Sequence, residues 1–89
     1  MAISVLFVPG KMEASTYDEV MRRLDAASAF PAKGLVSHTC SIVDGQVRVF
    51  DIWESEAEFM EFGKTLLPIL SDLGVAAVPQ IGVVHNRMP

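Results

Sequence analysis

Eighty-nine residues make one domain, residues 1–89, near the small end of what folds around a single core. Hydrophobic residues make up 51% of the chain, and a small domain so rich in apolar surface is expected to bury part of it against a second copy, as a homodimer. The net charge is −4 and the basic residues Lys11, Arg22, Arg23, Lys33, Arg48, Lys64 and Arg87 are scattered, so neither nucleic acid nor an anionic membrane surface is an expected partner.

Cys40 stands alone, which excludes an internal disulfide. No CxxC pair and no His, Cys and carboxylate set has metal-ligand spacing, so no metal is expected. The start, "MAISVLFVPGK", has no positive stretch ahead of its apolar run, and that run is too short for a bilayer span or a secretion signal. A cytoplasmic location is the resulting expectation.

In chain order, "ISVLFV" (3–8) is a continuous β-rich run closed by Pro9-Gly10, expected to be buried on both faces. Thr16 with Glu19 fits a capping box, and Tyr17, Val20, Met21, Leu24 and Ala27 follow at helical spacing until Phe30-Pro31. After a turn at Pro31 to Gly34, "LVSHTCSIV" (35–43) alternates and is β-branched. Asp44-Gly45 is a strong hairpin signal, and "VRVFDIWE" (47–54) returns as the next strand.

Ser55 with Glu58 makes a second capping box, so this strand runs directly into a helix with an apolar stripe at Phe59, Phe62, Leu66, Leu70 and Leu73. Pro68 is expected to end that helix near Leu66 or to open a short second one. Gly74 suits a C-terminal cap, and "VPQIGVVHN" (78–86) reads as a last strand whose early Pro79 favours a sheet edge. The order β-α-β-β-α-β is the ferredoxin-like pattern, an α+β fold with a four-stranded antiparallel sheet.

The hairpin fixes a register. A two-residue type I′ loop at Asp44-Gly45 sets Ile42 opposite Val47, Cys40 opposite Val49, His38 opposite Asp51 and Val36 opposite Trp53. A four-residue loop keeps these pairs, whereas a three-residue loop destroys them. One face then carries Val36, His38, Cys40, Ile42, Val47, Val49, Asp51 and Trp53, and the other carries Ser37, Thr39, Ser41, Arg48, Phe50 and Ile52. Directly opposed residues lie about 5 Å apart at Cβ, within reach of an imidazole–carboxylate hydrogen bond.

That pair has two readings. In the functional one, Asp51 orients His38, which serves as general base toward an acidic phenol or activated C–H. Trp53 then forms an aromatic wall, with Val36, Cys40 and Val49 lining a pocket for a small apolar or aromatic ligand. In the structural one, two partly buried polar groups satisfy each other. Cys40 has no cationic neighbour except His38 and reads better as a small core residue than as a nucleophile. Glu54, Glu58 and Glu61 share a helical face but suit the helix dipole as they stand. His85 and Asn86 could reach a pocket, the partner copy's included; a frayed terminal strand is the plainer reading.

"PAKGLVSH", "DIWESEAEF", "LLPILSDLG" and "VPQIGVVHN" together resemble the dimeric α/β-barrel superfamily, and within it the small antibiotic-biosynthesis-monooxygenase-like domains. The resemblance spans nearly the whole chain and implies two ferredoxin-like sheets paired into a barrel. It also implies cofactor-free oxygenation of a small aromatic or polyketide-like molecule, haem degradation, or a non-catalytic ligand-binding or structural dimer. The haem-degrading members use an asparagine on the first strand and a histidine on the second long helix. "AISVLFV" has no Asn and "SEAEFMEFGKTLL" no His, so only Trp53 has a counterpart and haem oxidation is set aside.

Overall fold

A computed structural model describes the whole chain, residues 1–89. Its elements are β1 (Ile3–Phe7), α1 (Ala14–Ala26), β2 (Leu35–Val43), β3 (Gln46–Trp53), α2 (Glu56–Asp72) and β4 (Gln80–Val83). The four strands form one antiparallel sheet in the order β2-β3-β1-β4, the ferredoxin-like arrangement expected from the element order. β4 lies at an edge, where Pro79 just ahead of it removes no ladder donor.

Ile3, Val5 and Phe7 of β1 and Val47, Val49 and Trp53 of β3 bury the same face of the sheet. Val20 and Leu24 of α1 and Phe59, Leu66 and Leu70 of α2 close over them as the core. β1 is not buried on both faces as its apolar run suggested. Its residues alternate, with Ser4 and Leu6 only half-covered on the far side.

α1 begins earlier than the Thr16–Glu19 pattern indicates. Glu13 is the N-cap residue, and its side chain makes no capping bond. Met12, buried just before it, gives its carbonyl to the Val47 N–H at 2.9 Å, which ties the chain to the start of β3 and sets where the helix can begin. Thr16 therefore lies inside the first turn. Glu19 turns away from the N-terminus to accept from Arg22 and Arg23, each at 2.7 Å at closest. Arg23 also pairs with Asp72, clasping the end of α2.

Ser55 caps α2 as expected: its Oγ accepts the Glu58 N–H at 3.2 Å and its hydroxyl donates to Glu58 Oε1 at 2.9 Å. The helix, however, runs straight through Pro68. Pro68 is exposed, and the carbonyl deprived of its helical donor is that of Lys64, itself an exposed residue, while Leu66 and Leu70 hold the inner side to the core. Gly74, at φ 71°, closes the helix with a Schellman motif in which the Val75 N–H reaches Leu70 O at 2.9 Å.

Asp44 and Gly45 have φ of 52° and 77°, as a type I′ loop demands, and the pairs Val43–Gln46 through His38–Asp51 stand in the expected register. Beyond Ser37 the register shifts, and Leu35 rather than Val36 faces Trp53. Val36 is the extra residue of a β-bulge and turns to the opposite face. Gly34 sets this up: at φ 87° its carbonyl takes the Glu54 N–H at 2.7 Å, and a Cβ there would sit 2.5 Å from Glu58 Cδ.

Candidate active site

Pairing across the hairpin brings His38 of β2 and Asp51 of β3 together, with His38 Nδ1 2.6 Å from Asp51 Oδ1. Asp51 is 5% exposed on a central strand. Its second oxygen, Oδ2, accepts the indole N–H of Trp53 at 3.3 Å. An indole nitrogen only donates, so Asp51 acts here through both oxygens as an acceptor. The bonding pattern then assigns the His38 proton to Nδ1, with Nε2 left as a lone-pair acceptor.

That lone pair is already occupied. Tyr17, in the first turns of α1, places its hydroxyl 2.6 Å from His38 Nε2, with the two rings 12° from parallel. The result is a linear chain, Tyr17–His38–Asp51–Trp53, running from the rim inward. Burial, first, and then the negative potential of Cys40, Asp51 and Asp18 push the Tyr17 phenol up to about 12, so it stays protonated at neutral pH. Cys40, half-buried on the neighbouring pair, has its thiol raised by burial and then by Asp18, which keeps it from the thiolate form.

The chain borders an apolar cavity of about 70 Å³ between the sheet and both helices. Phe7, Met21, Leu24, Val49, Phe62 and Leu66 supply much of its wall, and Tyr17, His38 and Asp51 its polar edge. Trp53 lines it too, fully buried and packed against Phe59 and Phe62 at ring distances of 5.7 and 5.2 Å.

Of the residues expected here, His38, Asp51, Trp53 and Val49 meet at the cavity. Val36 and Cys40 do not line it. The bulge sends Val36 to the other face and puts Leu35 in its place, while Cys40 packs against the core beside the cavity. His85 and Asn86 lie across the opposite face, in a groove shared with Val36, Phe50 and Ile52. No three His, Cys, Asp or Glu side chains gather closely enough to hold a metal ion.

Tyr17 is the residue the sequence reading missed as functional. Its spacing with Val20, Met21 and Leu24 marks it as a core-facing position, and a tyrosine there must place its hydroxyl near a polar group. His38 was the available partner on the facing strand.

No family model matches the chain, and no curated protein matches it. Solved structures do. SnoaB, a cofactor-independent oxygenase from Streptomyces nogalater, superposes with a TM-score of 0.64 at 17% identity, covering 99% of this chain and 95% of that one. A candidate antibiotic biosynthesis monooxygenase from Chloroflexus aurantiacus J-10-fl gives 0.66 at 10% identity over 100% and 98% of the two chains. Another from Nitrosomonas europaea gives 0.67 at 9% identity over 97% and 100%. The chain thus has the fold of the antibiotic-biosynthesis-monooxygenase-like domains over nearly its full length. No helix is long and apolar enough to cross a membrane.

Proposed function

We propose that the protein is a cofactor-independent, monooxygenase-like enzyme acting on a small aromatic or polyketide-like molecule, with His38 as general base oriented by Asp51. The observation that carries this reading is the 2.6 Å contact of His38 Nδ1 with a buried carboxylate at the edge of an apolar cavity. It fixes the imidazole with its basic Nε2 aimed toward the site where a substrate would lie. The fold shared with SnoaB lends this chemistry by analogy.

For a hydroxyanthracene-type substrate the steps balance without a cofactor. His38 Nε2 takes the phenolic proton, and the anion, which has carbanion character at the ring carbon para to the oxygen, gives its electrons to dioxygen there, forming a C–O bond. The imidazolium returns that proton to the peroxide. Loss of the C–H proton at that carbon and cleavage of the O–O bond then release water and leave a C=O group. One dioxygen is consumed and one oxygen atom is retained. The apolar wall favours a planar, poorly hydrated substrate and shields the carbanion from bulk water.

We also propose that the protein works as a homodimer. The face of the sheet away from the helices carries Val36 and Phe50 at 41% and 46% exposure, with half-buried Leu6 paired to Phe50, an apolar array suited to a second copy. Ile52, on that same face, is buried, and the C-terminal residues 84–89 share its groove.

A second reading, that the domain binds a ligand or serves as a structural dimer without catalysis, is favoured by the occupied Nε2 and the small cavity. The two separate on purified protein. An enzyme consumes dioxygen with a hydroxyanthracene in the presence of chelator and without flavin. A binding module changes Trp53 fluorescence with the same compound and consumes nothing.

A further inference from the structure

We propose that the Tyr17 phenol is an internal competitor, holding the acceptor nitrogen of His38 until the hydroxyl of a phenolic ligand replaces it. This rests on the reading of the cavity beside His38 as a substrate site, and it adds the residue that controls access and the atom on which the substrate hydroxyl is held.

Two independent observations lead to it. His38 Nε2, the imidazole nitrogen not bonded to Asp51, is bonded to the Tyr17 hydroxyl at 2.6 Å, and both residues line the cavity. The cavity holds about 70 Å³, whereas an apolar cavity that takes up benzene has roughly 150 Å³. A benzene-sized ring therefore does not fit within it while Tyr17 stays in place. Tyr17 is half-buried and stands in the first turns of α1, whose N-cap residue Glu13 contributes no side-chain bond. Swinging its ring outward needs side-chain rotation and leaves the core residues Val20 and Leu24 seated.

The space vacated has the shape of a phenol, runs into the existing cavity and ends on His38 Nε2. A ligand that fills it must bring its own hydroxyl, because an arene without one leaves the imidazole lone pair facing an apolar ring with no donor. The substrate class is thus a phenol, with further rings or alkyl groups reaching toward Met21, Phe62 and Leu66.

Two probes and one substitution test this on the full-length protein. The compound p-cresol is the tyrosine side chain itself, and toluene is the phenylalanine side chain. Calorimetric or NMR titration of Tyr17→Phe should show p-cresol binding about 3- to 10-fold tighter than to the unaltered protein, the worth of one neutral hydrogen bond no longer competed for. Toluene, which must displace the same ring, should gain by a similar factor, while p-cresol binds tighter than toluene to both proteins because only it donates to His38 Nε2. Weaker or equal p-cresol binding on substitution, toluene binding as tightly as p-cresol, or no p-cresol binding to either protein would overturn the proposal.

The unaltered protein gives a second readout. Tyr17 is the only tyrosine, so its ring resonances report directly on its position. Saturating p-cresol should move them to values of a solvent-exposed ring, and unmoved resonances contradict the exchange. Neither measurement requires turnover. If p-cresol displaces Tyr17 but no hydroxyanthracene is oxidised, the oxygenase reading fails and the competitor stands. If oxidation proceeds with the Tyr17 ring unmoved, the reverse holds.

Discussion

His38 and Asp51 face each other across the β2–β3 ladder, and their side chains meet at 2.6 Å, with the carboxylate 5% exposed and the imidazole nearer the rim. The pairing couples stability to chemistry. The same carboxylate that orients the ring also depends on it, because a buried charge without partners is costly.

Asp51→Asn should therefore lower stability more than a conservative exchange at the surface. Asp51 accepts two N–H groups, from His38 and from Trp53, and an asparagine offers only one oxygen. One donor then faces an NH₂ group, at about 1–3 kcal/mol. Thermal unfolding followed by circular dichroism should show a drop of several degrees, about 4–8 °C per kcal/mol for a domain of this size. Turnover should fall less than for loss of His38 itself, since the base remains.

The Tyr17 phenol titrates to about 12 against an ordinary 10, chiefly through burial. The folded state thus keeps its proton where the unfolded state has lost it. The resulting stabilisation is fully present below pH 10 and is lost as pH rises toward 12. Tyrosinate absorbance should report this directly on the single tyrosine, with a midpoint near 12 in the folded protein and near 10 after unfolding. A folded-state midpoint near 10 would contradict the buried position of the hydroxyl.

Pro68 sits at an exposed position inside α2, where it removes one helical hydrogen bond. Pro68→Ala should restore the bond to the Lys64 carbonyl and raise stability by about 1–3 kcal/mol, the span between proline and alanine in a helix interior. A lowered melting temperature would show instead that the proline ring packs against something the helix needs.

Light scattering at micromolar concentration should give twice the mass of the chain. Phe50→Lys, which places a charge in the middle of the exposed apolar sheet face, should return the protein to a monomer with its fold intact. A monomer mass for the unaltered protein would remove the homodimer from the account.

Much of this architecture is legible in the chain because local signals and global register agree. Asp44-Gly45 dictates the loop, the loop dictates the pairing, and alternation then puts His38 and Asp51 on one face. Ser55 and Glu58 likewise mark the start of α2. What escaped was set by distant contacts. The Val36 bulge follows from the Gly34 carbonyl reaching Glu54, the start of α1 from Met12 bonding Val47, and the passage through Pro68 from packing on the opposite side of that helix. Tyr17 was legible as a core-facing residue, but its hydroxyl partner depends on how α1 lies across the hairpin.

His38→Ala tests the central claim most directly, measured as dioxygen consumption with a hydroxyanthracene substrate alongside thermal unfolding. If His38 is the base, turnover falls by roughly 10²–10⁴-fold while the variant still unfolds cooperatively. Some stability is lost in either case, because Asp51 keeps only the Trp53 N–H. A variant that melts lower yet retains full activity would contradict the account, leaving His38 and Asp51 as a buried pair that satisfies itself.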